Sequence, residues 1–183
     1  MERMRLLPCV FISDSHPLLG CTVFHRIGSK CVFMSTPRCL EPSLDLGPPG
    51  RSERTKMFFR TTEQRGDSLY ISDLVLDEIA GAPMRLRPSL ERVLREAKPR
   101  VLSQSPESLR LADAYVASRV VPARFRDDAR HVGVASVAAV DALVSWNFKH
   151  LVNLRRKRLF HSVNVRLGYP QIDIISPEEA LYE

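Results

Sequence analysis

The sequence predicts an α/β fold, a three-layer α/β/α domain on a mainly parallel sheet, running from about Ser52 to Glu183. Three observations lead there. From Ser52 onward, helix-like and strand-like stretches alternate, as in βαβ units rather than hairpins. The run from Asp128 to His150 passes from an acid at a helix start, through a small-residue apolar helix (Ala129 to Val140), into a short apolar stretch, Ala142 to Trp146. A strand that is apolar throughout is buried on both faces, as in parallel sheets covered by helices.

Residues 1–51 lack this regularity. They hold all four cysteines (Cys9, Cys21, Cys31, Cys39), His16 and His25, and a Pro/Gly-rich stretch from Glu41 to Gly50. Only Lys30 to Met34 offers a strand, and Cys31 to Met34 is expected to fill a central slot in the sheet. No C-x-x-C pair or zinc spacing occurs among the cysteines and histidines. Beyond this segment, Glu53 to Glu63 reads as a helix and Ser68 to Ile71 as a short strand. Ser72 is an N-cap for a helix through Ile79, closed by Gly81. Pro88 to Ala97 is amphipathic and helical, and Arg100 to Leu102 a short strand. Ser105 caps a helix with Pro106 at its first position, running to about Arg119. In the Ala129 to Val140 helix, Gly133, Ala135, Ser136, Ala138 and Ala139 would let the backbone lie close on the sheet. Phe160 to Leu167 is helical, Ile172 to Ile175 a last strand, and Ser176 to Glu179 the start of a short capped helix.

At 183 residues, with 44% hydrophobic and 26% charged residues, the chain has the make-up of one globular domain with an appendage. No apolar run approaches the roughly 20 residues needed to cross a bilayer, so no membrane partner is expected. The amino terminus lacks a signal-peptide pattern, and a cytoplasmic location is the default expectation. A net charge of +6 fits a polyanionic partner. Its sharpest local feature, Arg155 to Arg158, reads as a solvated loop. No phosphate-binding glycine pattern is present, which disfavours a small-molecule α/β enzyme.

The residues that carry chemistry are acids and their neighbours. Glu78 shares a helix face with apolar Leu74 and Val75, whereas Asp77 is turned about 100° away, toward water. An acid on a packed face is costly unless a cation meets it. Glu78 and Asp128 are both read near helix starts, at the end of the sheet where Asn147 follows a strand. Ligands of parallel sheets bind beyond the carboxyl ends of the strands. Two or three oxygen donors converging there could hold Mg²⁺ or Mn²⁺, with water completing the shell. Arg124, Arg126, Lys149, Arg155 and Arg156 would then grip a nucleic-acid backbone. His131 and His150 are either bases or core histidines; Trp146 is a core residue, with base stacking as its alternative.

At these positions the sequence resembles a known family. Ile71-Ser-Asp-Leu-Val-Leu-Asp-Glu-Ile79, Asp127-Asp-Ala-Arg-His131, Val140-Asp-Ala-Leu-Val-Ser-Trp-Asn-Phe-Lys-His-Leu-Val-Asn153, Val163-Asn-Val-Arg-Leu-Gly-Tyr169 and Ile174-Ile-Ser-Pro-Glu178 are similar, in order and spacing, to motifs of PIN domains, above all VapC-like toxins. The resemblance covers about residues 52–183. It implies a Rossmann-like PIN fold and Mg²⁺- or Mn²⁺-dependent cleavage of RNA, with Glu78 as the second acid, Asp128 as the third and Asn147 in the place of the fourth. For a toxin it also implies an antitoxin protein as partner, across a homodimer.

The departure is at the front, where the family has a strand ending in an essential Asp. Here Cys31 to Thr36 offers only hydroxyls. Written as degenerate codons and read two nucleotides out of step, Met34 to Ser43 can encode Val, Asp, Ala or Thr, Ser, Val, Phe, which is nearly that missing opening. The segment up to between Leu44 and Ser52 is therefore read as out of frame, against a diverged amino terminus as the alternative. For the chain as written, losing that carboxylate predicts greatly reduced cleavage. The competing class is a catalytically inactive PIN-like module that binds RNA or protein through its basic rim.

Overall fold

The computed structural model describes the backbone of residues 31–34 and residues 50–182. The readings of the other amino-terminal residues, including Cys9, Cys21, Cys39, the two histidines and the displaced frame, lie outside the described residues. Among the described residues, five strands form one sheet in the order β3-β2-β1-β4-β5, every neighbouring pair parallel. They are β1 (Cys31–Met34), β2 (Ser68–Ser72), β3 (Arg100–Leu102), β4 (Ala142–Val144) and β5 (Asp173–Ile175). The helices are α1 (Arg51–Arg65), α2 (Asp73–Ala80), α3 (Arg87–Ala97), α4 (Pro106–Ala117), α5 (Arg126–Val137) and α6 (Leu154–Arg166). β1 takes the central slot, with Met34 in register with Ile71 on one side and Val144 on the other.

The two faces of the sheet build two cores. Tyr70, Leu143 and Ile174 pack with α4, α5 and α6, around Leu111, Tyr115, Val132, Phe160 and Val163. Their chain neighbours Ile71, Val144 and Ile175 point the other way, toward α1, α2 and α3, around Phe58, Val75, Ile79, Leu90 and Val93. This alternation is the two-residue period of a strand, and both sides being apolar is why β4 reads as a continuous hydrophobic run. The α/β/α layering expected from the sequence is what the chain adopts. Right-handed crossovers explain which helix lies where. From β1 the chain steps outward to β2 and β3 with α1 to α3 on one face. It then returns past β1 to β4 and β5, and α4 to α6 occupy the other face. Strand order therefore reverses between β1 and β4.

Several local readings change. The helix before β4 begins at Arg126, after a 3-10 turn over Ala123–Phe125, and ends at Val137. Gly133 faces α4 rather than the sheet: a Cβ there would lie 2.6 Å from the Ser108 carbonyl oxygen. Arg155 to Arg158, read as a loop, lie in α6. Asn153 caps that helix, its side chain accepting from the Arg156 N–H at 2.9 Å. Ser105 and Ser108 form a reciprocal cap on α4, with Pro106 at the first position as expected. The terminal helix is a single 3-10 turn, Glu179–Leu181. Among the described residues, no helix is long and apolar enough to cross a membrane.

Candidate metal and nucleic-acid site

Three elements meet beyond the carboxyl ends of the strands, beside the reversal between β1 and β4. The end of β2 leads into α2, the start of α5 comes in from the opposite face, and the turn after β4 closes the rim. The carboxyl ends of the strands beside such a reversal are where open α/β sheets bind ligands.

Ser72 stands at the N-cap of α2 with extended backbone, but its side chain does not cap the helix. Fully buried, its hydroxyl instead lies 3.0 Å from Nδ1 of His131 on α5. Asp73 takes the local role, accepting from the Leu74 N–H and, with its other oxygen, from the Gln104 N–H, both at 2.9 Å. That contact ties α2 to the loop before α4. The helix α2 has only eight residues, so Glu78 lies in its last turn, not near its start as the sequence suggested. The face assignment holds: Leu74, Val75 and Ile79 are buried, Asp77 is exposed and Glu78 is half-buried.

The half-buried Glu78 faces His131. Its Nε2 is 3.7 Å from Oε1 of Glu78, and the ring is completely enclosed. The second oxygen of Glu78, Oε2, is buried and has no hydrogen-bond partner among the described residues. Asp128, one helical turn before His131 in the first turn of α5, faces the same space. Its carboxyl accepts from the Asn147 amide at 3.0 Å. Burial pushes the Asp128 pKa up; His131 and the Asn147 hydrogen bond pull it back, and the charges of Glu78 and Asp127 raise it again. Two carboxylates from opposite faces of the sheet thus share one electrostatic environment, although 50 residues separate them in the chain.

Asn147 is fixed by its own turn. Its N–H donates to the Ser145 hydroxyl (3.0 Å), and its side-chain oxygen accepts from the His150 N–H (3.1 Å). With Oδ1 so engaged and Nδ2 on Asp128, Asn147 positions the acid and has little left to offer a metal directly. No three His, Cys, Asp or Glu side chains among the described residues converge into a cage. The candidate donors at this rim are Glu78 and Asp128, with Asn147 behind them. That set fits Mg²⁺ or Mn²⁺, which keep several waters and need only one or two carboxylates. It does not suit an ion that wants a full protein shell. The unpartnered Glu78 oxygen and the penalised Asp128 carboxylate are both conditions that a cation relieves.

The basic residues divide. Lys149 is exposed beside Asn147, Arg124 is exposed with its guanidinium 4.9 Å from the Phe125 ring, and Arg155 is exposed in the first turn of α6. Arg126 is held in an ion pair with Asp113 of α4. Arg156 is turned onto the carbonyl oxygens of Arg119 and Val120, closing the chain that leaves α4. Those two are committed to the fold in a way the sequence did not reveal. Lys149, Arg156 and Arg124 all surround His150 and, after burial, depress its pKa. His150 is buried, its ring stacked 3.9 Å from Phe125, so it is a core histidine of the rim. Trp146 is likewise buried, its indole N–H donating to the Thr55 hydroxyl at 3.1 Å. A separate cavity of about 430 Å³, lined in part by Arg65, Asp67, Asp141 and Asp173, lies at the opposite, amino end of the strands.

No protein-family model matches the chain. No curated protein matches it either. Among solved structures, it is similar to the crystal structure of VapBC2 from Rickettsia felis bound to a DNA fragment from their promoter. That similarity has a TM-score of 0.48 at 10% identity and covers 79% of this chain and 98% of the other.

Proposed function

We propose that the chain is a PIN-like, divalent-metal-dependent ribonuclease framework in which Glu78 and Asp128 hold Mg²⁺ or Mn²⁺. Asn147 orients Asp128 and a water at its side, and Lys149, Arg124 and Arg155 hold the RNA backbone. The observation that carries this reading is the convergence of the two carboxylates at the carboxyl end of a parallel sheet, where its strand order reverses. A divalent ion bound there would supply an activated water and neutralise charge building on the phosphate. The chain's own residues do the rest. His131, seated on Ser72, keeps Glu78 from turning outward, and the exposed cations counter the phosphates.

Hydrolysis is weak in this reading, because β1 is followed by Ser35 and Thr36 and not by an acid. That same observation supports the second reading, an inactive RNA- or protein-binding module on the same fold. As a toxin the protein would work in the cytoplasm against RNA, with an antitoxin as partner and a homodimer as its assembly. Titration with Mn²⁺, followed by calorimetry and electron spin resonance, tests the site. One ion is expected per chain, lost in Glu78→Gln and in Asp128→Asn. Cleavage of a labelled RNA should be slow, stopped by EDTA, and faster in Ser35→Asp. A chain that binds no Mn²⁺ at millimolar concentration overturns the metal site. Rapid Mg²⁺-dependent cleavage abolished by Glu78→Gln overturns the weakened-site reading.

A further inference from the structure

We infer that Phe148, backed by Trp146 and Arg51, is a stacking platform for one unpaired base of single-stranded RNA at the edge of the Glu78–Asp128 site. The inference rests on the RNA reading above and adds to it a substrate form and a contact. Phe148 directly follows Asn147, and it is 44% exposed where its neighbours Trp146 and His150 are buried. A single exposed aromatic is unremarkable on a protein surface. This one differs in being held. Its N–H donates to the Trp146 carbonyl at 3.0 Å, and the Asn153 amide donates to the carbonyls of Phe148 and Lys149, both at 3.1 Å. The Leu151 and Val152 N–H groups close the turn onto the Asn147 carbonyl at 3.0 and 2.9 Å. The ring therefore projects from a fixed turn.

The platform is also composed for a base. Phe148 is tilted at 54° to Trp146, with centroids 6.0 Å apart. The Arg51 guanidinium lies 4.9 Å from the Trp146 ring and 5.6 Å from that of Phe148. Aromatic rings with an interleaved guanidinium form the surface on which single-stranded nucleic acids lay their bases, since every base offers a π-face. Lys149, the next residue, is exposed to meet the adjoining phosphate. A duplex keeps its bases inside the stack, so the occupant must be unpaired. The site of proposed chemistry begins one residue earlier, at Asn147, which places the stacked base beside the phosphodiester that the acids would address.

The test is made in EDTA, so that binding is read without cleavage. A short single-stranded RNA carrying 2-aminopurine, and the duplex of the same sequence, are titrated with wild-type protein, Phe148→Ala and Phe148→Trp. Loss of roughly tenfold in single-strand affinity is expected in Phe148→Ala, with retention in Phe148→Trp and no effect on the duplex. The 2-aminopurine fluorescence should be quenched by wild type and Phe148→Trp only. Equal binding by wild type and Phe148→Ala, or no single-strand binding by wild type, overturns the platform; a protein occupant of the patch would give that result. The two readings fail separately: Mn²⁺ binding with a neutral Phe148→Ala sinks the platform alone. A Phe148-dependent quench in a chain that binds no Mn²⁺ sinks the metal site alone.

Discussion

Adding one methyl group at Gly133 tests how the helix that bears Asp128 is held. The Cβ of Gly133→Ala would lie 2.6 Å from the backbone oxygen of Ser108 and 3.5 Å from the Ala112 nitrogen, both on α4. The first distance is about 0.8 Å short of ordinary van der Waals contact. Helix propensity favours the substitution by about 1 kcal/mol. Forcing extra volume into a packed interface costs about 1–3 kcal/mol, and the upper part of that range applies when the obstacle is backbone. The balance is a net loss of about 1–2 kcal/mol. Relief requires α5 to move away from α4, and Asp128 sits on α5 five residues earlier. Its 3.0 Å contact with Asn147 should therefore lengthen and Mn²⁺ affinity fall in parallel. Urea denaturation and calorimetric titration of the same preparation read both effects. A variant more stable than wild type by about 1 kcal/mol, the propensity term acting alone, would refute the close approach of the two helices.

Two further predictions concern the fold around the site. Tyr115 is fully enclosed; its hydroxyl donates to the Asn164 side-chain oxygen and lies 3.2 Å from the Ser136 hydroxyl, and burial pushes its pKa far up, so it stays a protonated donor. Tyr115→Phe leaves Asn164 short of a partner and should cost about 1–3 kcal/mol by urea midpoint; unchanged stability would show the network to be dispensable. Burial raises the pKa of Glu179, but the Ser176 hydrogen bonds and Lys157, 3.5 Å away, outweigh it, and the net shift is downward from 4.5. A carboxylate depressed in the fold contributes stability above its unfolded pKa and loses it as pH falls toward the folded one. The stability deficit of Glu179→Gln should hold steady near neutrality and shrink below pH 4.5; a deficit that persists at acid pH would assign it to packing.

Periodicity and caps made most of the fold legible. β3 coincides with Arg100 to Leu102, and the Ser105-Pro106 signal places α4, because caps and short apolar runs are local properties. The start of α6 was missed because four consecutive cations look like solvent-facing loop. The signal that marks it is the Asn153 cap. Glu78 was put on the correct face but described as near a helix start, although the Ser72 and Gly81 boundaries read from the sequence already set it in the last turn. The acids' convergence could be anticipated only from layer topology and the family likeness. The Ser72–His131 contact, which spans 59 residues, left no mark in either segment. Nor could spacing tell that Arg126 and Arg156 are spent on Asp113 and on backbone carbonyls, because a cation's partner is a matter of tertiary distance.

The central strand shows why fold and chemistry part company in this chain. Pairing on both sides of β1 is made by backbone groups, and Cys31–Met34 supplies those whatever its side chains are. An empty slot would strand the edges of β2 and β4 without partners, so the sheet selects for any extended apolar run at that point. A metal site is less tolerant: it needs charge at one position, and the residue after β1 is Ser35. Burial raises the pKa of Asp128, and the charge of Glu78 adds to that rise. In the proposed function, a further acid beside these two would add ligand charge and, with it, the gain from binding a cation. If the proposed function holds, metal binding is weak in the chain as written, and Ser35→Asp is the change expected to move affinity and cleavage upward together. An increase in Mn²⁺ affinity without cleavage would separate ligand count from catalysis and favour the RNA-binding module.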